Sequence, residues 1–229
     1  KSIFDFFIGL GIRYMREGDE NFHHSMLIHT KETKKTMHGL LDTVRPFVLK
    51  LKQAIQSKGI GRDSYKLMFI ELQEYYDKEK KNFLDCDQHV PDFKELSGKL
   101  WEYFSDFQCE TFPEVLEISS DQEKGDDLNY PEDEPYAVIA IGGNRLARGF
   151  TLEGLHTSYF VREPKELKSD TLLQQGRWFG FRGKNEDLVR IFTTESLRDE
   201  FWALKSIEND LHDTISHFET CGLDTKEYA

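Results

Sequence analysis

At 229 residues the chain can form one large domain or two small ones and can bury a full core. A content of 38 % hydrophobic and 13 % aromatic residues excludes a disordered chain, and a net charge of -12 argues against a surface that is nucleic-acid-binding all round. Three widely spaced cysteines, Cys86, Cys109 and Cys221, make neither a disulfide framework nor a CxxC metal site, which points to a reducing cytoplasm.

The chain opens on about ten largely apolar residues, too short to span a bilayer and followed by charge, with no small-residue cleavage pattern. Ile3, Phe6, Phe7, Leu10 and Tyr14 recur at helical spacing, so Ser2 to Arg16 is predicted as an amphipathic helix ending near Gly18. The absence of an initial Met suggests an excised piece of a longer protein, in which 1–24 leads in from a preceding domain. SMLIH at Ser25 to His29 suits a buried parallel strand, with Thr30 at its carboxyl end as either a ligand contact or a helix N-cap. A long helix follows over Lys31 to Ser57, its buried stripe Leu40, Leu41, Val44, Phe47, Val48, Leu51 and Ile55, with Pro46 expected to bend or split it.

After the break at Lys58 to Gly61 come two helical segments, Asp63 to Phe83 and Asp92 to Phe107, read as a helical insertion over 61–107. Leu67, Phe69, Ile70, Leu72, Tyr75 and Tyr76 form the apolar set of the first, and Pro91-Asp92 opens the second. His23, His24 and His89 lack spaced carboxylate partners and read as surface residues; no metal site is expected. Phe112 to Ser119 is a strand, Asp121 to Glu134 an acidic loop, and Tyr136 to Ile141 the clearest central strand. Leu155 to Val161 and Leu188 to Phe192 add strands around a short helix over Asp170 to Phe179, and Glu195 to Phe218 closes as a helix. Alternating strands and helices predict a three-layer α/β fold, a mostly parallel sheet with helices on both faces, spanning 25–60 and 108–229.

The chemistry gathers between Gly142 and Arg182. Nine Lys and Arg against six Asp and Glu from Arg145 to Arg190 make this stretch locally basic on an acidic protein. Gly142 and Gly143, directly after the central strand, permit close backbone approach or a positive φ. Arg148-Gly149 and Gly176-Arg177, with Gln174, Gln175 and Arg182, supply planar, permanently charged forks that grip phosphate oxygens, as an arginine finger does. The competing readings are a helix C-terminus capped beside Gly149 and salt bridges from Arg177 or Arg182 to Asp170, Glu186 or Asp187. Trp178, Phe179 and Phe181 read as core anchors before base-stacking platforms.

Strand, RGFT, strand, QQGRWFGFR, strand resembles motifs V and VI of superfamily 2 helicases, carried by their second RecA-like domain. More narrowly, GGNRLARGFTLEGLHTSYF with DTLLQQGRWFGFR and DLVRIFTT resembles the Z-one domain family, bacterial proteins named as endonucleases and linked to a helicase-type ATPase and to MORC-like ATPase systems. The match covers Tyr136 to Thr194, with SMLIHT similar to motif IV. The resemblance implies that Gln174, Gly176 and Arg177 act at the γ-phosphate, with Arg182 as the other candidate finger. Gly142, Gly143, Arg148 and Gly149 would border the nucleotide, and Thr30, Arg145 and Thr151 the nucleic acid. Thr151 replaces the usual motif V aspartate, and Arg182 follows Arg177 by five residues where three is usual. Five residues turn a helix by about 140°, so both arginines share a face only if Gly180 ends the helix.

No GxxxxGK[ST] cradle and no DE-type strand occurs, so this piece is expected to hydrolyse no ATP alone. ATP and Mg2+ would be shared with a first RecA-like domain of the same full-length chain, with nucleic acid, DNA foremost, as the polymer partner, and no membrane. The alternatives are a metal-dependent endonuclease using Glu163, Lys165 and Asp92 or Asp133, and a non-catalytic interaction module docking through the helical insertion.

Overall fold

The computed structural model describes residues 1–18, 22–29, 34–83, 89–106, 112–118, 128–143, 152–161 and 183–221. The chain divides into two compact units, Lys1–Arg162 with Trp178–Phe192, and Glu163–Arg177 with Thr193–Ala229.

In the first unit, the strands β1 (His23–His29), β2 (Glu114–Ile118), β3 (Tyr136–Gly142), β4 (Leu155–Phe160) and β5 (Arg190–Thr193) form one sheet in the order β2-β3-β1-β4-β5. The sheet is parallel and carries helices on both sides, the three-layer α/β arrangement that the alternation of elements predicts. Continuous apolar runs rather than alternating ones follow from that burial on two faces. Met26 and Ile28 lie in register with Ile139 and Ile141 and join the main core, while Leu27, Val138 and Ala140 face the other way and are equally buried.

Helix α1 (Ser2–Glu17) is more deeply buried than an amphipathic lead-in requires: every residue from Phe4 to Tyr14 is enclosed. It packs on α4 (Phe93–Asp106) and reaches β1 and β4. Close approach is possible because Gly11 faces α4; a Cβ there would come within 2.6 Å of Leu96 Cδ1 and 2.9 Å of Leu100 Cγ. The helix ends at Gly18, whose φ of 65° is the left-handed value that favours glycine at this position.

Helix α2 (Lys34–Gln56) continues unsplit through Pro46. Pro46 and Asp42 both lie on the exposed side, so the Asp42 carbonyl that loses its amide partner can turn to water. In α3 (Asp63–Glu79) the buried stripe is Met68, Leu72 and Tyr76, whereas Leu67 and Ile70 are exposed. This corrects the sequence reading by a rotation of the helix; the i, i+4, i+8 stripe holds three residues. A 3-10 turn at Lys80–Phe83 ends the segment. Asp92 caps α4 by accepting the Glu95 amide at 2.8 Å, as the Pro91-Asp92 pair predicts. Helices α1 to α4 and one face of the sheet close over a single aromatic-rich core that includes Phe6, Phe7, Tyr76, Tyr103 and Phe104.

In the second unit, α5 (Glu195–Cys221) is capped by Thr194, whose hydroxyl accepts the Leu197 amide at 3.3 Å. Among the described residues, no helix is long and apolar enough to cross a membrane.

Candidate functional site at the carboxyl edge of the sheet

Both edges of the central strands are organised, in opposite ways. At the amino edge, hydrogen bonds lock the entry to β4 against β1. The Ser25 hydroxyl donates to the Glu153 carbonyl at 2.6 Å and lies 2.8 Å from the Tyr130 hydroxyl, which also accepts the Glu153 amide at 3.1 Å. Burial pushes the Tyr130 phenol up to about 12, so it stays protonated. Gly154, at φ 61°, lets the turn approach the His23 carbonyl so closely that any Cβ would collide with it. Arg13 donates to that same carbonyl and pairs with Glu17 at 3.0 Å.

His24, fully buried, donates from Nε2 to the Phe6 carbonyl at 3.0 Å and stacks on His156 at 5.1 Å. Burial, then the neighbouring His156 and Arg13, hold its pKa well below the ordinary value, so it is a neutral core histidine. Its position overturns the expectation of a surface residue: the hydrogen bond to a helix carbonyl makes burial affordable. Among the described residues, no group of three or more His, Cys, Asp or Glu could hold a metal ion.

At the carboxyl edge, Gly142 of β3, His29 of β1 and Phe160 of β4 stand in register across three adjacent strands. His29 is fully buried and stacks on Phe160, with ring centroids 5.1 Å apart. From β1 the chain goes on to β2 at one edge of the sheet, and from β4 to β5 at the other. Neighbouring strands whose connections diverge make a topological switch point, where open α/β sheets bind ligands outside the strand ends. The grooves of about 330 Å³ between α2 and β2 and about 380 Å³ beside α1 and α4 lie elsewhere.

Of the expected site residues, Gly142 and Gly143 are buried at this edge. Gly142 closes β3 as a strand residue, and the left-handed glycines among the described residues are Gly18, Gly59, Gly61, Gly154 and Gly183. Gly142 and Gly143 take no positive φ; Gly154, which does, lies at the opposite, amino edge. Thr30, Arg145, Arg148, Gly149, Thr151, Gln174, Gly176, Arg177 and Arg182 lie outside the described residues, as do Asp170 to Phe179, Phe181, Glu163 and Lys165. The carboxylate of Asp92 is engaged in capping α4, and that of Asp187 is taken by Arg16.

The Arg16–Asp187 contact was not legible in the sequence. Arg16 grips both carboxylate oxygens, at 2.8 and 2.7 Å, and reaches Asn185 at 3.4 Å, while Asn185 donates to Glu17. Asp187 and Asn185 belong to the 3-10 segment Gly183–Leu188, which begins one residue after Arg182. The last turn of α1 thus holds the chain at the start of its path into β5. His29 escaped notice because a single histidine ending an apolar run looks like the end of the run; only the register with Gly142 and Phe160 marks it.

These features define an open, parallel α/β domain whose three central strands end together at a switch point. The family model of the Z1 (Z-one) domain matches residues 1–229, and the chain belongs to that family. No curated protein and no solved structure matches it.

Proposed function

We propose that this chain is the second RecA-like domain of an ATP-dependent, superfamily 2 helicase- or translocase-like protein acting on nucleic acid. One observation carries the reading: the strands that precede Thr30 and Arg145 to Thr151 end side by side, at His29 and Gly142. Thr30 follows His29 directly and Arg145 follows Gly142 by three residues, so both segments start from one edge of the sheet, the edge at which parallel α/β domains bind nucleotides.

In this reading Arg177, or Arg182, reaches the γ-phosphate of ATP held with Mg2+ by a first RecA-like domain of the same full-length chain. Its fixed charge stabilises the transferring phosphoryl group without needing a proton. Gln174 orients the attacking water or the phosphate, and the Gly176 backbone permits close approach. Arg148-Gly149 borders both nucleotide and nucleic acid, which Thr30, Arg145 and Thr151 contact along the backbone.

The test uses the longer protein that contains the preceding domain. Arg177→Ala is expected to lower nucleic-acid-stimulated ATP turnover by about 10³-fold or more, with an unchanged melting transition. Normal turnover in both Arg177→Ala and Arg182→Ala would overturn the proposal. Metal-dependent cleavage of DNA that persists in both variants would favour the nuclease alternative.

A further inference from the structure

The first turns of α1 bury an acid. Asp5 is 5 % exposed, and among the described residues its Oδ1 has no hydrogen-bond partner. The carboxyl accepts a hydrogen bond from the Tyr75 hydroxyl of α3 and is faced by Glu79 of α3, by Arg190 at the start of β5 and by the amino group of Lys1. Phe4 beside it packs on Phe47 of α2 and on the Tyr75 ring. An enclosed carboxylate with one oxygen unsatisfied is costly, so burial favours the protonated acid and raises its pKa to about 6.

Arg190 is the side-chain cation that faces this acid. It acts on Asp5 through its charge and not through a hydrogen bond, because its guanidinium is engaged elsewhere. Nη1 donates to the carbonyls of Asp187 at 2.7 Å and Val189 at 2.8 Å, and Nη2 to the carbonyl of Asn82 at 3.2 Å. Asp187 and Val189 lie on the chain entering β5, whereas Asn82 belongs to the 3-10 turn Lys80–Phe83 that follows α3. Arg190 therefore ties that turn to the start of β5, and the turn packs on Gly183–Leu188. To bond Asp5 the guanidinium must move, and the longest of its three contacts, the exposed one to Asn82, is the first to yield. Asn82 also donates to Glu79, whose like charge repels an ionised Asp5 and acts in the same direction.

We infer that Asp5 and Arg190 form a proton-operated latch: while Asp5 is neutral, Arg190 ties the turn Lys80–Phe83 to the entry of β5, and an ionised Asp5 draws Arg190 away and frees the turn. The proton passes to solvent and no other covalent bond changes. The latch is closed below about pH 6 and open above it. It lies within the first unit and stands whether or not the domain serves a motor.

Hydrogen exchange of the full chain tests this, read by mass spectrometry on peptides that cover Lys80–Phe83 and corrected for the intrinsic pH dependence of exchange. Protection of the turn is expected to fall about tenfold or more as pH rises through 6, the size of one unit of pKa shift. Peptides from α2 should keep their protection, which separates the latch from a general loss of stability. Asp5→Asn cannot ionise and should hold the turn protected at every pH. Glu79→Gln should move the transition to lower pH, because a like charge is removed. Arg190→Lys keeps the charge without the fork and should leave the turn poorly protected throughout; cooperative melting transitions show that all three variants fold. A transition that persists in Asp5→Asn, protection that survives Arg190→Lys, an equal loss in α2, or no transition in the parent chain overturns the proposal.

Discussion

Replacing Arg16 by Met removes the cation that faces Asp187 while keeping the apolar stem, which tests the clamp between α1 and the segment leading into β5. The Asp187 side chain is 1 % exposed and that of Arg16 12 %, so the pair is shielded from water. Breaking a buried pair from one side strands a charge and costs about 3–5 kcal/mol. Asn185 stays nearby and Arg16 is not fully enclosed, so the lower end, about 3 kcal/mol, is expected. Urea denaturation reads this as a lower midpoint at unchanged slope. Because the cost comes mainly from the stranded carboxylate, adding Asp187→Asn to Arg16→Met should restore much of the loss. A loss below about 1 kcal/mol in Arg16→Met, the range of an exposed pair, or no recovery in the double variant, would refute the argument.

Gly11→Ala places a methyl group against Leu96 and Leu100, and thermal melting should show a loss of about 1–3 kcal/mol that Leu96→Ala partly relieves. Gly154→Ala combines a left-handed φ with a collision against the His23 backbone carbonyl, and loss of soluble, cooperatively folding protein is expected. Asp5 is buried on α1, and burial raises its carboxyl from the ordinary 3.8 to about 6, offset in part by Arg190 and by a hydrogen bond with Tyr75. Between those values the folded state holds the proton more tightly than the unfolded chain. The contribution is therefore full below about pH 4 and is lost as pH rises through 6, about 3 kcal/mol in all. Asp5→Asn should flatten this part of the stability profile, measured by denaturant midpoints from pH 4 to 8, and should raise stability above pH 6; a profile as steep as that of the parent contradicts the assignment.

The sequence determined the layers and the order of elements. Continuous apolar runs such as SMLIH and YAVIAI, separated by helical spacing, specify a parallel sheet buried on both faces, since only such strands lack a polar alternation. Family membership was equally legible, because GGNRLARGF and QQGRWFGFR are local in the chain. Helix faces were less legible. In α3 Leu67 and Ile70 are as apolar as the residues that become buried, and Phe93 of α4, which packs on Phe69 and Tyr76, selects the buried face only in three dimensions. In α5 the periodicity was plain, yet it could not say that Ile207, Leu211 and Ile215 stay exposed.

Tertiary structure alone decided what lies at each edge of the sheet. His24 became a neutral core histidine and His29 a buried stack on Phe160, although both belong to one seven-residue strand. Arg16 found Asp187 across 171 residues, a pairing that no local pattern encodes. Composition and periodicity act through near neighbours along the chain and so specify elements. Strand order and register act between distant segments, and they brought Gly142, His29 and Phe160 into one row at the switch point.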